Sequence, residues 1–221
     1  MRRFFLISLI VWPALLFGQE EKILARHLEK YGQTTWSQIQ TLKILGKHVT
    51  EDYSAFPITI INKENVRVRV DGQNYILALD HEVFWTSGFT SSDLPIEKLI
   101  LQHALTLGSP LAKFKEELKY AGLEVLDGTM FHSFKKAKEE YSVNYLVDKE
   151  SDELRHILLN IEGKQPMAAR LTFDKYKSHH GLLFPTAMTV RTEESFKEWV
   201  FDEILLGIAI DDQLFVKPNS Q

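Results

Sequence analysis

The sequence predicts a mostly β protein: one strongly curved antiparallel sheet with a pair of short helices laid across it. Three observations carry this reading. Short apolar segments recur along the 221 residues, separated by Gly and Asp turns. Period-two alternation is plain where Val66, Val68 and Val70 share one face and Arg67 and Arg69 the other. Between Ser91 and Gly122 the period changes. There Ile96, Leu99, Ile100, His103, Ala104 and Leu107 fall on one helical stripe.

In chain order, residues 20–31 read as a helix with Ile23, Leu24, His27 and Leu28 on its apolar face, stopped by Gly32. Thr34-Thr35 reads as the cap of a short turn carrying Trp36 and Ile39. Strands are expected over 41–49, 56–61 and 66–70. Asp71-Gly72 is a hairpin signal. The strand 73–79 is apolar on both faces, with Tyr75, Leu77 and Leu79 inward, so something must cover each side of it. A strand at 83–85 leads to the helices. Ser92 or Asp93 caps the first, Pro95 sits in its first turn and Gly108 ends it. Ser109-Pro110 starts the second, with Leu111, Phe114, Leu118 and Tyr120 inward, and Gly122 closes it. Further strands follow at 123–126 and 129–134 across Asp127-Gly128, then at 140–147, 154–161, 168–173, 182–191 and 196–206. The segment 208–215 is expected to lie extended against the body.

Composition narrows the function. Charged residues make up 25% and hydrophobic residues 44%, which is enough for a real core. The formal charge is −4, and no basic run is interleaved with aromatics, so a nucleic-acid surface is not expected. There is no cysteine, hence no disulfide and no thiol for lipid attachment. Arg2-Arg3 followed by the apolar run from Phe4 to Phe17 reads as a secretory signal peptide over 1–18, with residues 19–221 as one domain. Removing it leaves 24 basic residues (26 less Arg2 and Arg3) against 30 acidic, a charge of −6.

Eight histidines invite a search for metal ligands, and none has the spacing. His81-Glu82 lacks a second His one turn on, and His179-His180 sits in a turn. There is no G-x-S-x-G elbow, no cysteine nucleophile and no glycine-rich phosphate loop. The paired acids Asp211-Asp212 and Glu193-Glu194 read as solvated turns. No enzyme, metal or cofactor is expected. The informative residues are apolar. Val68, Tyr75, Leu77, Leu79, Trp85, Phe173, Phe184 and Trp199 come from different strands, and a curved sheet gathers such residues on its concave side. Ile96, Leu99, Ile100 and Leu107 are the helical side of the same candidate site. The pair is either a plug that completes the core or a lid over a cavity.

Several motifs in order resemble one family, over residues 23–218. They are Ile39-Gln40-Thr41-Leu42 leading to Gly46, the strand Asp80-His81-Glu82-Val83-Phe84-Trp85 followed by two helices, Gly122-Leu123-Glu124-Val125-Leu126-Asp127-Gly128, and Tyr176-Lys177 with Gly181-Leu182-Leu183-Phe184-Pro185. This is similar to the LolA-type outer-membrane lipoprotein carriers and sorting proteins. The resemblance implies an unclosed antiparallel β-barrel whose concave hydrophobic face is covered by short helices. It also implies a periplasmic carrier that takes acyl chains of lipoproteins or other lipids between membrane donor and acceptor proteins, as a monomer. Two positions depart from the pattern. His81 stands where the family has Gly, and the arginine that latches the family's lid falls near Asn62-Lys63. An envelope sensor or protein-interaction module on the same fold is the second reading, and an acyl hydrolase the third.

The n-region and apolar run predict an exported product whose mature N-terminus is Gln19 or a neighbour. Intact mass of the protein from its native host checks this; full-length chain in the inner-membrane fraction would contradict it.

Overall fold

The computed structural model describes residue 18 and residues 20–88 and 94–218. The signal peptide expected over 1–18 lies, but for residue 18, outside the described residues, as do the caps expected at Ser92 or Asp93. Residues 20–30 form helix α1 and Gln33–Trp36 helix α2. Strands β1 (Thr41–Val49), β2 (Ala55–Lys63), β3 (Arg67–Asp71), β4 (Ile76–Asp80) and β5 (Val83–Ser87) follow, then helices α3 (Leu94–His103) and α4 (Pro110–Lys113). A 3-10 turn, Lys115–Glu117, leads to β6 (Lys119–Leu126), β7 (Thr129–Ala137), β8 (Tyr141–Asp148), β9 (Leu154–Ile161), β10 (Met167–His179), β11 (Leu182–Arg191) and β12 (Phe196–Leu206). The chain closes on a second 3-10 turn, Asp212–Phe215.

The twelve strands of the described residues belong to one antiparallel sheet in the order β5-β4-β3-β2-β1-β12-β11-β10-β9-β8-β7-β6. Each half is a meander, and β1 against β12 is the seam that joins them. The sheet does not close: β5 and β6 are its two edges. Yet these two strands are consecutive in the chain. The segment between them must therefore travel from one edge to the other, and α3 does so across the concave face, packing on β3, β4, β9 and β10.

The alternation expected of β3 decides which residues face which side. Val68 pairs with Leu79 and Val70 with Leu77 on the concave side, all buried. Arg69 pairs with Ala78, and Ala78 with Trp85, on the convex side. The two-sided apolar strand is explained by what lies on each. Inside are the helices. Outside is the C-terminal 3-10 turn, whose Phe215 is fully buried and accepts a hydrogen bond from Trp85 Nε1 at 2.8 Å. Arg69 donates to the Leu214 carbonyl, and Arg67 holds Asp212 at 3.0 Å. The arginine face is thus a covered flank, not open water.

Other departures have local causes. Thr34 and Thr35 lie inside α2, whose N-cap is Gly32 at φ +68°. The β3–β4 turn takes residues 72–75, closed by Gly72 N–H donating to the Tyr75 carbonyl at 2.9 Å, and so is longer than a two-residue hairpin. The first helix of the pair ends at His103 rather than Gly108, leaving Leu107 in a buried loop. The second is only four residues long. Gly122 does not close it: it sits within β6 at φ +94°, where the register against β7 shifts. A bulge and a helix stop both call for a glycine, and sequence cannot separate them. The Asp127-Gly128 hairpin is as expected, with φ +51° and +81°.

The seam depends on one glycine. Its register breaks between Leu45 and Gly46, and a Cβ on Gly46 would meet the Val200 carbonyl oxygen at 2.1 Å. Gly46→Ala therefore forces two paired backbones apart. We expect a loss of about 1–3 kcal/mol, read as a fall in melting temperature of roughly 2–4 °C for each kcal/mol. An unchanged midpoint would show that the bulge absorbs the methyl.

Candidate functional site

The concave face and the helical pair share one apolar cluster. Val68, Leu77, Leu79, Phe173, Phe184 and Trp199 enter it from the sheet, and Ile96, Leu99, Ile100 and Leu107 from the crossing segment, all buried. Tyr75 packs against it half-buried at the rim. Trp85 alone of the expected residues faces the other way, onto the convex side beneath Phe215. Alternation within β5 decides this, because Trp85 opposes Ala78 rather than Leu77 or Leu79.

The cluster is not filled. A cavity of about 60 Å³ lies beneath the α3–α4 connection, lined by Trp36, Ile44, Leu105, Phe173, Phe184, Met188 and Phe201. That volume holds a few waters and no acyl chain. A wider cleft of about 1110 Å³ opens where the barrel fails to close. Phe84 of β5, Leu99 of α3 and Tyr141 and Ile161 from β8 and β9 line it, with Lys98, Lys138 and Glu140 at its mouth.

Polar contacts hold the crossing segment at a few points. Asn62 is 1% exposed and donates from Nδ2 to the Leu105 carbonyl at 2.5 Å. Asn65, at φ +60°, accepts from the Leu107 N–H at 2.5 Å and donates to its carbonyl at 3.4 Å. The place near Asn62-Lys63, where the sequence lacks a latching arginine, thus carries an asparagine clasp on the α3–α4 connection. Sequence inspection missed it because a short amide reaches a carbonyl only where the backbones already lie close. At the other end of α3 the carboxylate of Glu97, 1% exposed, meets Lys197 of β12.

Two histidines are also brought into contact sets that spacing did not reveal. His27 Nε2 lies 2.6 Å from Ser109 Oγ, and its Nδ1 lies 2.8 Å from the Asp152 carbonyl. Both side chains are fully buried, and Ser109 Oγ also caps α4 by accepting from the Leu111 N–H. Burial pushes His27 down to about 4, so it is neutral at pH 7. The contact ties α1 to α4; it lacks the access to substrate that a nucleophile needs. His103 Nδ1 meets the Tyr145 hydroxyl at 2.6 Å, while its Nε2 has no partner. Burial, then Lys136 and Lys113, bring it down to about 3. No group of three or more metal-ligating side chains occurs among the described residues.

Solved structures with this architecture exist. One is described as an outer membrane lipoprotein-sorting protein domain from Vibrio parahaemolyticus, with TM-score 0.52, 10% identity, and 81% of this chain and 89% of that chain covered. A LolA superfamily protein from Nitrosomonas europaea gives TM-score 0.55 at 10% identity over 89% of this chain and 97% of that one. The fold is LolA-type. A DUF1329 family protein from Desulfovibrio piger shares it, with TM-score 0.55, 13% identity, and 88% and 95% covered. No family model matches the sequence, and no curated protein does either. At such identities the likeness is one of fold.

If Asn62 and Asn65 fasten the connection, each alanine variant should free it locally. We expect amide hydrogen exchange over residues 104–109 to speed up in Asn62→Ala and Asn65→Ala, with a stability loss of about 1–3 kcal/mol each. Exchange in β8 and β9 should stay as in the parent. Unaltered exchange over 104–109 would show that the clasp fastens nothing.

Proposed function

We propose that this protein is a periplasmic, non-enzymatic carrier that shelters the acyl chains of lipoproteins or other lipids on its concave face. The observation that supports this most is the incompletely filled apolar cavity beneath the α3–α4 connection, covered by the segment that crosses the open side of the barrel. The LolA-type neighbours, one of them described as a lipoprotein-sorting domain, point the same way. Each buried CH₂ is worth about 0.8 kcal/mol, so hiding a 16-carbon chain from water is worth on the order of 12 kcal/mol. In the state described here α3 occupies the space such a chain needs. Uptake therefore requires α3 and the α3–α4 connection to swing out, and affinity is set by how readily they do so. The proposal makes Val68, Tyr75, Leu77, Leu79, Phe173, Phe184 and Trp199 the chain-contacting wall, and Ile96, Leu99, Ile100 and Leu107 the lid.

A second reading, a sensor or interaction module on the same fold, is favoured by one feature. Leu123, Val125 and Met130 are 52%, 65% and 46% exposed on the edge hairpin β6–β7. Apolar residues on a free sheet edge suit contact with another protein.

The two are separated by binding of a pyrene-labelled long-chain fatty acid. The carrier reading expects saturable binding by the parent, loss of binding in Leu99→Glu, whose charge would face the chain unpaired, and no hydrolysis of acyl esters. A parent that takes up no probe would end the carrier reading. Ester turnover that survives purification and disappears on replacing one Ser, His or Asp would make the protein a hydrolase.

A further inference from the structure

The ion pair under α3 says which acyl lipids the site would prefer. Glu97 is the charged residue that the helical stripe buries, with a side chain only 2% exposed. One carboxylate oxygen meets Lys197 and the other has no partner. Lys197 is 16% exposed and stands over Trp199, its ammonium 5.6 Å from the ring centroid. Trp199 is 1% exposed, and its Nε1 donor is buried without a partner. Lys197 and Trp199 alternate onto the same face of β12. His48 and Tyr75 face the pair as well. Burial, then Lys197, lowers His48, and burial, then Glu97, pushes Tyr75 up to about 12, so both are uncharged at pH 7. On the concave face, then, a cation and an orphan N–H donor lie side by side, and the counterion is carried by α3 rather than by the sheet.

The register places this pair at one end of the site and the cavity at the other. Val49 pairs with Glu198 at the end that carries Lys197, whereas Leu42 pairs with Leu206 at the end where Leu42 and Ile204 line the cavity. From Lys197 to Ile204 is seven residues, about 23 Å along a strand, which suits an extended long acyl chain.

We infer that Lys197, with Trp199 beside it, is a headgroup site for an anionic acyl lipid, its carboxylate or phosphate taking the place of the Glu97 carboxylate when α3 swings out. This rests on the carrier reading and adds the ligand class. When α3 leaves, Glu97 goes with it to water. A neutral head would leave Lys197 without a counterion against an apolar wall, which is costly. An anionic head exchanges one ion pair for another, and the acyl chain then runs from Lys197 toward the cavity.

The test compares pyrene-labelled hexadecanoic acid with its methyl ester at about pH 8, where the acid is ionised. The parent should bind the acid about tenfold more tightly, the worth of one charge-assisted hydrogen bond. In Lys197→Met, which keeps the aliphatic stem, that ratio should fall to about one while ester binding persists. Glu97→Gln should tighten acid binding, because Lys197 then has no internal competitor. Glu97→Gln/Lys197→Met leaves no unpaired charge; folded by circular dichroism, it should bind ester and acid alike. A parent with no preference, or a preference that survives Lys197→Met, would overturn the headgroup site and leave the carrier reading standing. No uptake of either probe by the parent would remove both. Inorganic phosphate in excess should not displace the acid. Heat stabilisation of the parent but not of Lys197→Met by phosphate alone would assign the site to a free anion and overturn the lipid assignment.

Discussion

The structure depends on a single topological constraint: the two edges of the sheet are consecutive strands. β5 and β6 lie at opposite ends of the strand order, so the connection between them has to span the open side of the barrel. Crossing an apolar concave face exposes that connection to a place where backbone N–H and C=O groups find no water. A helix satisfies its own backbone, and an amphipathic one turns its apolar stripe to the sheet. The long apolar segment is accordingly helical over Leu94–His103, and irregular from Ala104 to Ser109, where Asn62, Asn65 and Gln33 supply partners to its backbone. A strand order with β5 and β6 adjacent would have needed no such segment and would have left no covered cavity.

The same constraint separates the forces that hold the crossing segment from those that hold the sheet. The sheet is a continuous ladder, and its convex flank is strapped by the C-terminal turn through Phe215, Leu214 and Asp212. The crossing segment relies on apolar contact along α3, an amide clasp at one end, an ion pair at the other, and the His27–Ser109 contact that joins α4 to α1. Net hydrogen-bond contributions are about 1 kcal/mol each, so the polar fastenings of the α3–α4 connection add little beside its buried apolar side chains, Leu105 and Leu107.

Several parts of this arrangement were legible in the residues. β1, β9, β11 and β12 fall where alternation and turn glycines place them, and the stripe of Ile96, Leu99 and Ile100 is buried as its spacing demands. The Asp127-Gly128 hairpin needs two positive φ angles, and the dipeptide announces them. The apolar character of both faces of β4 required two coverings, and two exist. Other parts were not legible, for physical reasons. Gly122 serves a bulge where a helix stop reads equally well. Trp85 faces outward because one strand's register, set by pairing with β4, outweighs the general tendency of large aromatics to turn inward. Asn62, Asn65, Glu97 and Lys197 look like ordinary polar residues until the chain brings their partners from 43, 42 and 100 positions away.

The class of fold could be read from the residues alone, because local periodicity, turn chemistry and the single change of period are properties of short windows. Strand order and register set which side of the sheet is concave, that an unfilled cavity lies beneath the α3–α4 connection, and which polar groups fasten that connection. They turn on contacts between residues far apart in sequence, whose energies no local pattern records.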